Sequence, residues 1–280
     1  MNEKQINEHI YVGELNTLAV NRVSEPGIYL ISDDQTEVLL PNAYVTKSME
    51  IGSFLDVFIY TDSEDRLVAT TLKPYVYLYE FAALEVVDNM KFGSFVDIGL
   101  PKHILVPKNK QTSSSFNIGD RKVLQLQLDD KTDRLIASEK FDLLKEIKKK
   151  KKNDEVEIIL YSKTPLGYKV IVNNSYDGII FHSEIFENIK IGDKKRAYVK
   201  NIRDDNKLDI SLQKIGQKVS GDKVYDVLIQ NGGKLPFTYK SEADDINARF
   251  GISKKAFKAS LTKLLAEDKI VLEENSIRVK

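Results

Sequence analysis

Residues 27–71, 93–140 and 167–213 run through the same order of residue types three times. Each copy opens on a glycine, continues into a short apolar stretch, a polar turn and a second apolar stretch, and then enters a loop of variable length. An Ile-Gly pair ends the loop: Ile51-Gly52, Ile118-Gly119 and Ile191-Gly192. An alternating stretch, an acidic turn and a closing stretch follow, the last introduced by Arg66-Leu67, Arg134-Leu135 and Lys207-Leu208. A repeat of this kind means one structural unit used three times. Short alternating runs separated by turn residues indicate strands. About five of them in roughly 65 residues is the size of a small Greek-key barrel. Glycine in the Ile-Gly pair permits the sharp bend at a barrel corner.

The period changes near residue 217. Val224, Val227 and Leu228 fall at helical spacing before the Gly232-Gly233 stop. Ser241-x-x-Asp244 reads as a capping box opening a second helix that carries Ile246 and Phe250 and stops at Gly251. Ser253 is the N-cap candidate of a third helix with Phe257, Leu261, Leu264 and Leu265 as its inner stripe. The final "IVLEENSIRVK" reads as a hairpin turning at Glu274-Asn275-Ser276. Helix, helix, helix and hairpin is the order of a winged helix-turn-helix. The expected architecture is mainly β with a smaller α+β tail. It consists of barrels over residues 1–72, 73–140 and 141–216 and a winged helix over 217–280. Between the second and third repeats, Phe141, Leu144 and Ile147 or Lys148 share a helical face at the start of a run of five lysines, Lys148 to Lys152. That run reads either as a solvated helix end or as a phosphate-contacting patch.

Charge is unevenly spread along a chain of zero net charge. Residues 1–138 hold 13 Lys+Arg against 20 Asp+Glu, and residues 139–280 hold 29 against 22. A basic half on an acidic remainder points to an anionic partner. The 280 residues include no cysteine, which excludes disulfides, thiolate zinc sites and thiol catalysis and fits a reducing cytoplasm. No apolar run approaches the ~18 residues of a membrane span, and the first residues lack the apolar core of a signal peptide.

The second repeat contains Gly93-x-Phe95-Val96, then Ile118-Gly119-Asp120, then Arg134-Leu135-x-x-Ser138. These motifs resemble the S1 domain, an RNA-binding OB-fold. Three such repeats followed by a winged helix resemble the YitL/CvfB family, known as conserved virulence factor B. The resemblance implies single-stranded RNA stacked on strand-face aromatics, with basic groups along the phosphate path. It places an aromatic just before the glycine, another two residues after it, a histidine in the next strand and an Asp-x-x-x-Arg pair near the end. The second repeat matches at Phe92, Phe95, Asp130 and Arg134, with Val106 near the histidine position and His103 upstream. The first retains Tyr29, Asp62 and Arg66 but has Pro26 before its glycine. The third departs: Leu166 precedes the glycine, Lys169 and Lys207 replace aromatic and arginine, and Tyr168, Phe181 and His182 supply other rings. Phe92 and Phe95 remain open to two readings, stacking platform or ordinary core. Strand alternation requires one of Phe181 and His182 to face inward.

In the third helix of the tail, Lys254, Lys255 and Lys258 lie off the apolar stripe. Lysines without Arg, Asn or Gln suit phosphate contact, which argues against sequence-specific DNA reading. The chain has no GxxxxGK[ST] loop and no HExxH motif, and His9, His103 and His182 lie in separate segments. An enzyme is therefore not expected, and no cofactor or metal is called for. The expectation is a cytoplasmic regulatory protein that binds single-stranded RNA, with effects on virulence genes implied by the family and with protein partners in addition. The alternative is an interaction scaffold whose barrels no longer bind RNA.

Overall fold

The computed structural model describes residues 6–112, 115–147, 150–185, 187–214 and 222–280. The chain forms two compact units, residues 1–143 and 144–280.

The first unit holds two closed five-stranded barrels. Barrel 1 comprises β1 (Leu15–Ser24), β2 (Gly27–Ile31), β3 (Glu37–Pro41), β4 (Phe54–Thr61) and β5 (Leu67–Thr70) in the order β1-β2-β3-β5-β4. Barrel 2 repeats this with β6 (Phe81–Met90), β7 (Gly93–Asp97), β8 (Ile104–Pro107), β9 (Arg121–Leu128) and β10 (Leu135–Ser138). The second unit opens with barrel 3: β11 (Glu155–Thr164), β12 (Gly167–Val172), β13 (Tyr176–Phe181), β14 (Lys194–Ile202) and β15 (Leu208–Ser211). Each barrel closes through one parallel pair, β3 with β5, β8 with β10 and β13 with β15.

The Ile-Gly motif has a tertiary reason. The first strand of every barrel is bulged, at Asn21, Val87 and Tyr161. A bulge breaks the ladder and leaves backbone groups to satisfy. Gly52, Gly119 and Gly192, all at positive φ, donate their N–H to the carbonyls of Val20, Val86 and Leu160 at 2.7–2.8 Å. The residue after each glycine accepts the N–H of that same strand position. A side chain is disfavoured at such φ values, so the motif records the bulge.

Barrel 1 contributes side chains to the core of barrel 2. In β4, Val57 and Ile59 point into barrel 1 while Phe58 and Tyr60 join the apolar cluster of barrel 2. A strand buried on both faces loses its alternation, and "VFIY" is such a run. The Phe58 ring meets Tyr77 edge-on at 5.9 Å. Lys102 Nζ donates to the Asp62 carbonyl at 2.6 Å and to Thr61 Oγ1 at 3.2 Å, and Arg134 Nη2 pairs with Asp65.

The tail is a winged helix: α1 (Asp222–Gln230), β16 (Lys234–Leu235), α2 (Ala243–Phe250), α3 (Lys254–Ala266), β17 (Ile270–Leu272) and β18 (Ile277–Val279). Phe250, Phe257, Leu261 and Leu264 fill its core. Ser253 caps α3 by accepting the Ala256 N–H at 3.2 Å. The Ser241 cap does not form. The cap of α2 is Glu242, with no side-chain bond, because Ser241 Oγ instead accepts the Thr238 N–H of the preceding turn.

The helix expected over residues 141–147 is also absent. Phe141 lies edge-on to Phe81 of barrel 2, and Ile147 packs on the barrel 3 core. The Leu144 N–H donates to the Ser175 carbonyl of barrel 3 at 2.8 Å, which ties the start of the second unit down as an irregular chain. Lys150 to Lys152 therefore follow a loop and not a helix end, and Lys148 and Lys149 lie outside the described residues.

Candidate nucleic-acid interface

The β6–β7 hairpin builds the aromatic pair of barrel 2. Met90 pairs with Gly93, leaving Lys91 and Phe92 as the turn. A Cβ on Gly93 would lie 2.4 Å from the Val106 carbonyl oxygen, so only glycine lets β8 approach this closely. Phe92 is 59% exposed. Phe95 is half-buried on the outer face, paired with Leu105 of β8, and its ring stands 6.2 Å from that of Phe92 at 86°. Neither ring belongs to the buried core, where Val96 and Val106 of the same strands sit. His103 is exposed in the loop before β8.

The expected Asp130–Arg134 pair is not brought together. In barrel 1 the turn closes from the Asp62 N–H to the Arg66 carbonyl, and Arg66 also clasps the Asp62 carboxylate at 2.7 and 2.9 Å. In barrel 2 the turn is one residue longer, closing from the Asp129 N–H to the Arg134 carbonyl. Asp130 is exposed at the turn, and no bond joins it to Arg134 among the described residues. Arg134 instead reaches Asp65 of barrel 1.

Barrel 1 presents a closed version of this face. The Arg22 guanidinium lies 3.6 Å from the centre of the Tyr29 ring and is bound to Glu37, whose carboxyl it holds below the ordinary range. Arg66 is held by Asp62 and Glu64. Ring and cations alike are already engaged.

Barrel 3 presents a mixed face. Lys169 is exposed, in register with Ile179 of β13 and, through it, Asp209 of β15. Phe181 is half-buried on the same face, with the Arg203 guanidinium 5.4 Å from its ring centre and Arg203 Nε bound to Asp209 at 2.6 Å. Lys207 is half-exposed, 4.0 Å from Asp177 and 3.9 Å from Asp205. Phe181 and His182 do not obey strand alternation. The strand ends at Phe181, and His182 begins a 3₁₀ turn where it is exposed. Tyr168 takes the inward parity and packs partly on the barrel 3 core, its ring 6.2 Å from that of His182.

Two residues of this face escaped the sequence reading. Arg203 sits four residues before Lys207, where barrel 1 has Asp62, so the inverted charge was visible in the aligned repeats. Tyr161, the bulge residue of β11, donates its hydroxyl to Asp177 at 3.3 Å, and burial pushes its phenol well above the ordinary range. No periodic signal marks a bulge residue. In the tail, Lys255 and Lys258 are exposed on α3, whereas Lys254 is 3.9 Å from Glu242. Among the described residues, no group of three or more His, Asp or Glu is placed to hold a metal ion. No described helix is long and apolar enough to cross a membrane.

Three tandem OB-like barrels followed by a winged helix define the class. Residues 12–72 match the S1 domain family, and residues 222–279 match the CvfB-like winged helix domain; neither is an enzyme family. The chain is similar over most of its length to YitL of Bacillus subtilis, at 27% identity across 93% of this chain and 91% of YitL. It is 24% identical to conserved virulence factor B of Staphylococcus aureus, across 82% of this chain and 80% of that one. A crystal structure from Streptococcus pneumoniae, of a multidomain protein with nucleic acid binding domains, is 24% identical with a TM-score of 0.46, covering 96% of this chain and 98% of that one.

Proposed function

We propose that this protein is a cytoplasmic regulator that binds single-stranded RNA without catalysis. Bases stack on Phe92 and Phe95 of barrel 2. Phosphates meet Lys169, Arg203 and Lys207 of barrel 3 and Lys255 and Lys258 of the winged helix. The observation that carries this reading is the Phe92–Phe95 pair, two adjacent rings outside the core on the outer face of an OB-like barrel. Exposed rings present a π-face to any base, and each stacked base contributes about 1–3 kcal/mol. Paired RNA hides its base faces, so the partner is single-stranded. The S1 and CvfB-like winged helix matches support nucleic-acid binding, and the name of the staphylococcal relatives supports a link to virulence. The scaffold alternative is favoured for barrel 1 alone, where Tyr29 is covered by Arg22 and the acidic β4–β5 turn holds Lys102 and Arg134 of barrel 2.

The test is fluorescence anisotropy with an unstructured RNA and with a perfect duplex, on the wild type and on Phe92→Ala/Phe95→Ala. The double variant should melt like the wild type and bind the single strand at least tenfold more weakly, a loss of about 1.4 kcal/mol or more. Unchanged affinity, or a wild type that prefers the duplex, would sink the reading.

A further inference from the structure

Barrel 3 has a feature its two counterparts lack. On the outer face, beside the rings and cations described above, Ile159 of β11 pairs with Ile171 of β12 on one side and with Lys194 of β14 on the other. Strand alternation turns both isoleucines away from the barrel core, which takes Ile158, Leu160, Val170 and Val172. Yet they are only 3% and 1% exposed. The same positions are Ala19, Ile31 and Phe54 in barrel 1 and the charged Glu85, Asp97 and Arg121 in barrel 2.

The two isoleucines help line a cavity of about 230 Å³, together with Glu157, Asn174 and Lys194. That is smaller than the roughly 300–1,000 Å³ of sites for drug-sized ligands and suits one flat ring system. Of the charged and polar side chains that line it, Lys195 and Arg196 are paired with Glu187 and Glu155, and Arg196 stands opposite Glu157 in register; the exposed Glu157 carboxylate, Asn174 amide and Lys194 ammonium have no hydrogen bond or ion pair among the described residues. Their backbones are fixed. Asn173 and Asn174 both hold left-handed conformations, φ 49° and 53°, and Asn173 Oδ1 accepts the Glu157 N–H at 2.8 Å. Polar groups without partners around a partly apolar cavity are a composition shared with ligand sites.

We propose that this cavity receives a single unstacked guanine base of the bound RNA. The carboxylate selects the base. An ionised Glu accepts only, through two oxygens. Among the four RNA bases, guanine alone presents two adjacent N–H donors, N1–H and N2–H₂, to match it. The Asn174 amide then donates to guanine O6, the ring fills the mouth of the cavity above the buried isoleucines, and Lys194 meets the phosphate. The inference rests on the RNA-binding reading and adds a base preference that stacking alone does not supply.

Titration of the full-length protein with GMP, AMP, CMP and UMP, followed by calorimetry or NMR shifts, tests it. GMP should bind about tenfold or more tightly than UMP, the scale of one bidentate contact to a base edge. Glu157→Gln keeps the shape but faces one donor with an amide N–H, so it should remove most of that preference. Lys194→Glu should weaken all four nucleotides while retaining their order. Glu157→Gln changes no core residue and should bind a guanine-free unstructured RNA within about threefold of the wild type in the presence of moderate salt, whereas Lys194→Glu should weaken that RNA as well. Equal affinities for the four monophosphates, or a guanine preference untouched by Glu157→Gln, would overturn the inference even if the guanine-free RNA binds. Failure of that RNA to bind the wild type would remove the RNA-binding reading as well.

Discussion

At the residue scale, two phenylalanines sit in opposite environments. Phe58 is 1% exposed between barrels 1 and 2, and Phe92 is 59% exposed at a hairpin turn. Phe58→Ala in a fragment spanning residues 1–143 should cost about 3–5 kcal/mol, the range for emptying a packed aromatic site. Phe92→Ala should stay within about 0.5 kcal/mol, as surface changes do. Denaturant midpoints of the two variants check this, and equal costs would mean that Phe92 is structural. The sequence marks Phe92 and Phe95 only through their S1-like spacing around Gly93. It does not mark Phe58, because a run buried on both faces looks the same whether the second face meets a helix, another barrel or nothing.

At the element scale, one carboxylate links the strands of the wing through their side chains. Glu273 accepts from Lys234 of β16, from Ser276 at 2.7 Å and from Arg278 of β18 at 3.2 Å. The Lys234 bond, then the Ser276 hydroxyl, lower its pKa from 4.5 to about 2. A depressed carboxylate binds its proton more readily in the unfolded chain, so its contribution is complete above about 4.5 and is lost as pH falls toward 2. Glu273→Gln should therefore lower the stability of the winged helix at neutral pH and flatten its decline between pH 4.5 and 2. Thermal melts across that range measure it; a decline as steep as that of the wild type would assign the acid sensitivity elsewhere. The three helices of this element were legible from apolar spacing and glycine stops, whereas the cap of α2 was not. A serine two residues before a helix can serve the helix or the preceding turn, and only the turn at Thr238 decides between them.

For the whole molecule, charge and compactness divide the chain at nearly the same place. Residues 1–143 hold 14 Lys+Arg against 22 Asp+Glu, and residues 144–280 hold 28 against 20, a net of −8 against +8. Phosphate neutralisation supplies most non-specific affinity, with the slope of log K against log salt changing by about 0.7 per phosphate on single strands. A fragment of residues 144–280 should thus bind unstructured RNA more tightly at low salt than residues 1–143, and with the steeper salt slope. The first fragment should retain only weak, salt-insensitive stacking on Phe92 and Phe95. Titrations of both fragments at two salt concentrations distinguish these behaviours, and equal slopes would contradict the division.

By itself the sequence determined the threefold repeat, the barrel strands and the winged helix, which follow from periodicity, glycine placement and turn chemistry acting over a few residues; the candidate stacking rings were singled out only by the resemblance to S1 domains. Tertiary structure decided which charges are free. Arg134 meets Asp65 across a separation of 69 residues, so its likeness to an RNA-contacting arginine could not reveal that barrel 1 already holds it. Arg22 faces Tyr29 across the β1–β2 hairpin, but its fixed position over the ring also needs Glu37 of β3, and the buried Ile159–Ile171 pair exists only because β11, β12 and β14 lie side by side. Strand formation is encoded locally, but the partner of a charge, or the lining of a cavity, depends on which distant strands the barrel closes together.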